Sequence, residues 1–475
     1  MNAPFWQLEQ HDPRAVALLC GDDAVTYGEL ANLADAAAKR LPAGRTLGFL
    51  TMCNRVDSVA LYLGALRSGS HVPLLLQADM DETLRNQLVS SYQPDWIALP
   101  AAVACPAGYK AIKPTSADDA ALSISLRNDG SHNPPLHPAL ALLLNTSGST
   151  GSSKLVRHSS SAIAANAVSI VEYLGLRPDD RAITTLPLAY SFGMSILNSH
   201  LLAGASLVLT NHTMVNREFW DLARRSGITS LSGVPATYEM LRRLKLAQQG
   251  LSSLRMLTQA GGRLRNALIE EFAAVAQRLD LSFFVMYGQT EAAPRISYVP
   301  PARLLEKVGS IGISVPGGQV TTDADTGELI YRGANVMLGY AESRPDLALG
   351  DVLHGTLHTG DLVRIDDDGY AWLIGRTKRF IKISGKRINL DEVEALLASE
   401  LGSFYACSGD DDDLVVFVAT GEMTDAVASK HLLAQRYKLL PGHIRSIALH
   451  ELPLLGTGKV DYTALRAMAK REGES

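Results

Sequence analysis

The chain has 475 residues, 47% apolar and 20% charged, with a formal net charge of −5. That length exceeds what one compact core supports, so two domains are expected. The faint acidity excludes the basic field that a nucleic-acid backbone would require. The longest apolar runs, such as 139–144, are too short for a membrane span. The opening MNAPFWQLEQHDPR lacks the basic leader and long apolar stretch of a secretory signal, so a cytoplasmic location is expected. Cys20, Cys53, Cys105 and Cys407 are scattered without a CxxC pair, which excludes that redox or zinc motif and predicts buried thiols in a reducing compartment.

In chain order, Thr26 and Glu29 have capping-box spacing ahead of an amphipathic stretch. Short apolar runs at 47–52, 72–76, 96–99, 139–144, 182–186, 206–210 and 283–286 predict strands. Helical periods at 159–174, 218–225, 238–246 and 267–279 lie among them. Such alternation predicts layered α/β architecture with mainly parallel sheet. After Pro294 glycines and short alternating runs predict a β-rich subdomain over about 295–375, with Asp367–Gly369 as a hairpin turn. Helices at 388–398 and 426–437 and a strand at 414–419 predict a small α+β domain. The expected division is therefore 1–375 and 376–475. The run Asp410–Asp413 reads as a solvated turn rather than a metal site.

Five segments carry chemistry. The run Asn145-Thr146-Ser147-Gly148-Ser149-Thr150-Gly151-Ser152-Ser153-Lys154 follows an apolar strand and precedes a helix. Small residues free backbone N–H groups to wrap an anion, hydroxyls add donors, and Lys154 adds charge. The spacing is not that of a Walker A loop, and alone the run also suits a Ser/Gly linker. Met286-Tyr287-Gly288-Gln289-Thr290-Glu291 ends another strand. Tyr287 offers a face for a planar base, Gly288 allows close approach, Thr290 is a phosphate donor and Glu291 a Mg²⁺ ligand. Alone it also reads as a strand-end turn. Asp361, after a glycine turn in HTGDL, suits vicinal ribose hydroxyls, though TGD is common in turns. The basic run 375–388 and the ending LPLLGTGK, closed by Lys459, complete the set.

Taken in this order, the segments resemble the adenylate-forming superfamily of acyl- and aryl-CoA synthetases, peptide-synthetase adenylation domains and firefly luciferase. The likeness runs from about Val25 to Leu465 and includes LPLAYSFGMS (186–195), SGVPATYEML (232–241) and QAGGRL (259–264). It implies ATP-dependent formation of an acyl-AMP with Mg²⁺, followed by transfer to a thiol, within a large domain and a small mobile one. The resemblance assigns the β- and γ-phosphates to Thr146–Gly151 and Lys154. It puts adenine between Tyr287 and the backbone of Ala260, Gly261 and Gly262. Gly288 and Gln289 lie in the same ATP segment; Thr290 meets the α-phosphate, Glu291 positions Mg²⁺, and Asp361 with Arg376 holds the ribose. Lys459 bridges the carboxylate and α-phosphate, Lys378 is the hinge, and Ser384 and Gly385 border the thiol tunnel.

The resemblance also assigns the acid pocket to Tyr190, Ser191, Phe192, Gly193, Ser232 and Gly233. Amino-acid-activating members carry an aspartate where this chain has Gly193, so a fatty, aryl or hydroxylated acid without an α-amino group is expected. Many CoA ligases have histidine in place of Tyr190. The ending LPLLGTGKVDY looks most like ligases that serve carrier proteins or lipids, which favours an acyl carrier protein over CoA as acceptor. A catalytically inactive binding homologue, a luciferase-like oxygenase and a mechanical P-loop ATPase are the competing readings. Intact Lys459, Glu291 and Asp361 oppose the first, an oxygen requirement would mark the second, and the missing Walker lysine-serine pair disfavours the third.

Overall fold

The computed structural model describes residues 3–112, 122–128, 133–145, 154–376, 379–383, 386–402, 404–410, 412–419, 423–455 and 459–473. Contacts divide the chain into two units. The first comprises residues up to 146, 153–320 and Tyr331–Leu357; the second takes in Thr321–Ile330 and the chain from His358 onward. The division expected at 375–376 falls inside the second unit.

Two sheets build the first unit. The nine-stranded sheet runs in the order Ile313–Ser314, Arg295–Val299, Ser282–Gly288, Met256–Gln259, Ser230–Gly233, Arg181–Ile183, Ser206–Leu209, Val16–Cys20, Asp23–Thr26. Its strands are parallel from Ser282–Gly288 to Val16–Cys20, with antiparallel partners at both ends. The eight-stranded sheet runs Gly339–Ala341, Leu155–Ser159, Leu140–Asn145, His71–Gln77, Thr46–Met52, Trp96–Pro100, Leu122–Arg127, Tyr109–Ala111. Its four central strands are parallel.

Thr46–Met52 is buried along its whole length, as a strand covered on both faces must be. The alternating side chains divide between two cores. Leu50 and Met52 join Leu18 and Leu207 of the other sheet, together with Leu61, Leu63 and Leu197 of helices Val56–Ser68 and Ser191–Leu202. Leu47 and Phe49 join Leu88 and Tyr92 of helix Glu82–Tyr92. Helices thus fill the layer between sheets and cover the far side of one of them.

Helix starts follow local chemistry. Thr26 Oγ1 accepts from the Glu29 backbone at 3.2 Å, and the Glu29 carboxylate takes the Thr26 N–H at 2.8 Å, so the expected capping box forms. Ser159 is the N-cap of Ser160–Leu174, accepting from Ala162 N at 3.1 Å. Of the cysteines expected to be buried, only Cys407 is; Cys20 and Cys53 are half-buried and Cys105 is exposed. The strand around Cys407 is central to a core, whereas Cys105 sits in an irregular surface stretch.

The second unit holds most of a four-stranded sheet in the order Gly318–Thr322, Glu328–Gly333, Thr356–Ile365, Ala371–Arg376. The predicted hairpin turn is present, closed by Asp366 Oδ1 accepting from the Asp368 and Tyr370 backbones. Beyond it come the hairpin Phe380–Ile383/Lys386–Asn389 and a three-stranded sheet of Tyr405–Asp410, Asp413–Val418 and Ile444–Ala448, with helices Leu390–Leu401, Met423–Tyr437 and Tyr462–Gly473. Asp410 and Asp413 face each other across two antiparallel strands, and Asp413 pairs with Arg445 at 2.6 Å.

A half-buried charge cluster ties this unit together. Arg379 donates to Glu394 at 2.7 Å, to Asp391 and to the Cys407 carbonyl at 2.8 Å. Its guanidinium lies 4.1 Å from the Tyr462 ring centre, and Tyr462 donates to Glu394 at 3.0 Å.

Candidate active site

Three neighbouring parallel strands, Ser230–Gly233, Met256–Gln259 and Ser282–Gly288, end on the same side of the nine-stranded sheet. Their carboxyl ends deliver Ser232–Gly233, the turn Ala260–Gly262 and Tyr287–Glu291. Ligands of open α/β sheets bind in this position.

Backbone approach there is close. Gly261 has φ +83°, and a Cβ on it would lie 2.8 Å from Tyr190 Oη. Gly288 pairs with Arg295 across a bulged antiparallel register, and a Cβ on it would stand 1.9 Å from the Pro294 carbonyl oxygen. Gln259, buried beneath the turn, donates to the Gly262 carbonyl at 2.9 Å. Burial pushes the Tyr190 phenol up to about 12, with Arg295 opposing, so the hydroxyl is neutral.

Thr290 opens a short 3₁₀ turn after Gln289, whose amide donates to Tyr287 Oη at 3.2 Å. Its Oγ1 is 3.3 Å from Ser191 Oγ, which links Thr290 to the start of helix Ser191–Leu202. Buried asparagines hold the segment that follows. Asn335 donates to the carbonyls of Ala292 at 2.6 Å and Arg295 at 2.8 Å, and Tyr331 donates to Asn335 at 2.7 Å.

Glu291 accepts from Tyr340 Oη at 2.8 Å. The same ring carries the Lys154 ammonium 3.9 Å from its centre, and Lys154 also lies 3.8 Å from Glu342. Sequence reasoning missed Tyr340, which therefore joins the expected metal carboxylate to the lysine that ends the phosphate run. Glu291's other oxygen has no protein donor among the described residues, and an ionised carboxylate is the oxygen ligand that Mg²⁺ takes. The geometry fits that ion.

Beneath these residues lies a small cavity, lined in part by Phe192, Ser232, Thr258, His200 and Arg295. Of the expected pocket residues, Phe192 and Ser232 line it. Tyr190 sits beside the Gly261 turn, Ser191 reaches Thr290, and a Cβ on Gly233 would be 2.6 Å from Thr237. Gly193 faces elsewhere: a Cβ on it would stand 2.2 Å from the Pro187 carbonyl oxygen. Close packing of the helix start on residues 186–187 accounts for that glycine. Gly193 is not among the residues that line the cavity.

His158, wholly buried on the strand after Lys154, has neither ring nitrogen hydrogen-bonded, although the Thr290 backbone faces it. Burial pushes its pKa down to about 4, so the ring is neutral.

In the second unit, Asp361 and Arg376 are cross-strand neighbours and pair at 2.9 Å, with Asp361 buried. Thr359 shapes the turn before Asp361, donating to the Leu329 carbonyl at 2.8 Å and accepting from Asp361 N at 3.2 Å. The two expected ribose residues therefore stand together. Lys459 begins the return arm of a small loop, its carbonyl accepting from Leu455 N at 2.8 Å. Thr146, Ser147, Gly148, Ser149, Thr150, Gly151, Lys378, Ser384 and Gly385 lie outside the described residues.

Residues 5–341 match the family model described as AMP-binding enzyme. The chain is 33% identical over 363 residues to the indoleacetate–CoA ligase of Aromatoleum aromaticum, covering 72% of this chain and 69% of that one. It is 27% identical over 486 residues to a feruloyl-CoA synthase of an Amycolatopsis species, covering 94% of each. Among solved structures it is similar to the O-succinylbenzoate coenzyme A synthetase MenE of Bacillus subtilis in complex with AMP, with TM-score 0.77, 22% identity and 98% of both chains covered. ATP-bound MatB of Rhodopseudomonas palustris also gives TM-score 0.77, at 22% identity and 99% coverage of each. These likenesses show the α/β fold expected from the sequence. No helix among the described residues is long and apolar enough to cross a membrane.

Proposed function

The chain belongs to the AMP-binding enzyme family, and on that premise we propose that it is an AMP-forming acid–thiol ligase. One carboxylate oxygen attacks the α-phosphorus of ATP, the bond to the β-phosphate bridge breaks, and pyrophosphate leaves. A thiol sulfur then attacks the acyl carbon of the acyl-AMP, loses its proton, and expels AMP. The observation that carries this reading is the convergence of Ser232–Gly233, the Ala260–Gly262 turn and Tyr287–Glu291 at the carboxyl ends of three adjacent parallel strands.

The barrier to the first step is the approach of a carboxylate to a polyanion. Thr290 supplies a phosphate donor at the α-position, and Lys154 supplies charge near the outer phosphates. Mg²⁺ held at Glu291 would neutralise charge on the phosphate oxygens and the leaving pyrophosphate. Asp361, buried with Arg376 at its side, would take the ribose hydroxyls, and Lys459 the carboxylate and α-phosphate together. The phosphate-loop residues 146–151, the hinge at Lys378 and the tunnel at Ser384–Gly385 keep their family roles in this proposal.

The acid is one without an α-amino group: fatty, aryl or hydroxylated. Relatives named as CoA ligases support CoA as acceptor, in a cytoplasmic setting. Pyrophosphate release over a panel of carboxylic acids, with acceptor trials using CoA and a phosphopantetheinylated carrier protein, tests the reading. AMP is the expected nucleotide product. ADP and phosphate, or an oxygen requirement, would overturn it.

A further inference from the structure

Arg295 is 3% exposed and lines the cavity beneath Thr290. Burying a guanidinium is unfavourable unless an anion or a full set of acceptors meets it. Here Nε donates to Tyr173 Oη at 3.3 Å, and Cζ lies 4.2 Å from the centre of the Phe192 ring. Among the described residues the two Nη atoms meet no acceptor, and no carboxylate pairs with the group. Among the described residues no acidic side chain lines the cavity. A cation–π contact offsets only part of the lost hydration.

The rest of the wall is neutral and polar. Ser195 and Ser199 donate to the carbonyls of Phe192 at 2.7 Å and Ile196 at 3.2 Å. His200 Nδ1 is 2.8 Å from the Ile196 carbonyl, which only accepts, so Nδ1 carries the proton. Nε2 then accepts from Ser230 Oγ at 3.3 Å. Burial lowers the His200 pKa, which keeps the ring neutral. Among the described residues Arg295 is thus the single formal charge on the wall.

On the reading of this cavity as the acid pocket, we infer that the activated acid carries a second anionic group, and that Arg295 binds it. The reacting carboxylate is a poor partner on two physical grounds. A guanidinium clamped on the nucleophile stabilises the ground state against attack. That carboxylate also loses its charge on forming acyl-AMP, which would strand Arg295 buried and unpaired in the intermediate. A second anion keeps its charge through both steps. The anchors of the side chain agree, because Tyr173 belongs to helix Ser160–Leu174, whose Ile170 and Leu174 form the cavity wall.

Succinate, glutarate and phthalate, each against its monomethyl ester, test this through ATP-dependent pyrophosphate release and through calorimetric binding to the full chain. The wild type should favour at least one diacid over its ester by ~10-fold or more in kcat/KM. Arg295→Gln should lower diacid turnover on the order of 100-fold, the loss expected when one partner of a buried charge pair is removed, and leave the ester within a few-fold. Arg295→Lys should recover part of the loss. If Arg295→Gln fails to fold, the diacid/ester ratio of the wild type and of Arg295→Lys decides. Equal loss for diacid and ester, or preference for every ester, overturns the inference and leaves the proposed ligase standing. Arg295-dependent diacid binding without pyrophosphate release upholds the pocket and sinks the ligase. Absence of any diacid binding overturns the inference outright.

Discussion

Replacing Tyr340 by Phe should raise the Mg²⁺ requirement while sparing the fold. The variant keeps the ring, and with it the 3.9 Å contact to the Lys154 ammonium. It loses one hydrogen bond, the 2.8 Å donation to Glu291. A bond to an ionised group contributes ~1.5–3 kcal/mol. Tyr340 is 36% exposed, so water takes over part of its role and the lower end applies. About 1.4 kcal/mol is tenfold, which agrees with the ~10–100-fold loss of metal affinity seen when a ligand's supporting partner is removed. Pyrophosphate release titrated with Mg²⁺ at fixed ATP should show half-saturation rising about tenfold, with kcat little changed. Mn²⁺ binding followed by electron paramagnetic resonance, with ATP present, should weaken in parallel. Tyr340→Leu should go further, because it also frees Lys154. Unchanged metal dependence in Tyr340→Phe would refute the reasoning, since Glu291 would then be oriented by something else.

Lys459→Ala should lower adenylation on the order of 100-fold or more, as with loss of other transition-state donors, yet preserve thioester formation from supplied acyl-AMP. Equal loss in both half-reactions would contradict a role confined to the first. Gly193→Asp should destabilise the protein by ~1–3 kcal/mol or more, because its Cβ meets the Pro187 carbonyl oxygen at 2.2 Å. It should also bring no amino-acid activation, and pyrophosphate release with a free α-amino acid would show that the side chain reaches the pocket after all. His158 predicts a pH effect on stability. Its folded pKa near 4 lies below the ordinary 6.5, so between those values the unfolded chain holds the extra proton. Stability then falls as pH drops, by about 3 kcal/mol across the window. Chemical denaturation from pH 7 to 4.5 should give a shallower slope for His158→Gln, and parallel profiles would count against the assignment.

Local signals proved readable in the sequence, and contacts distant along the chain did not. The Thr26–Glu29 capping box needs only residues three apart, and it forms. Strands Ser230–Gly233 and Met256–Gln259, unassigned in the sequence, are four residues each and exist because parallel neighbours complete their ladders. Helix Ser191–Leu202 is buried on nearly every side, so it has no polar face and shows no 3.6-residue contrast. The motif residues Tyr287–Glu291 were legible because glycine, hydroxyl and carboxylate stand consecutively. Tyr340 was not, since its partner Glu291 is 49 positions away. Arg295 reads locally as the end of a proline turn, and only the packing of Phe192 and Tyr173 around it reveals a buried charge. Gly193 was legible as a position but not as a direction.

The Arg379 cluster joins the beginning of the C-terminal part to its end. Arg379 opens the first strand pair there, Glu394 sits on the following helix, and Tyr462 lies three residues past Lys459. Parting Arg379 from Glu394 would leave that half-buried carboxylate without its ion-pair partner. The segment that follows Lys459 is therefore held by Tyr462 to a guanidinium and a carboxylate that lie some 70–80 positions upstream.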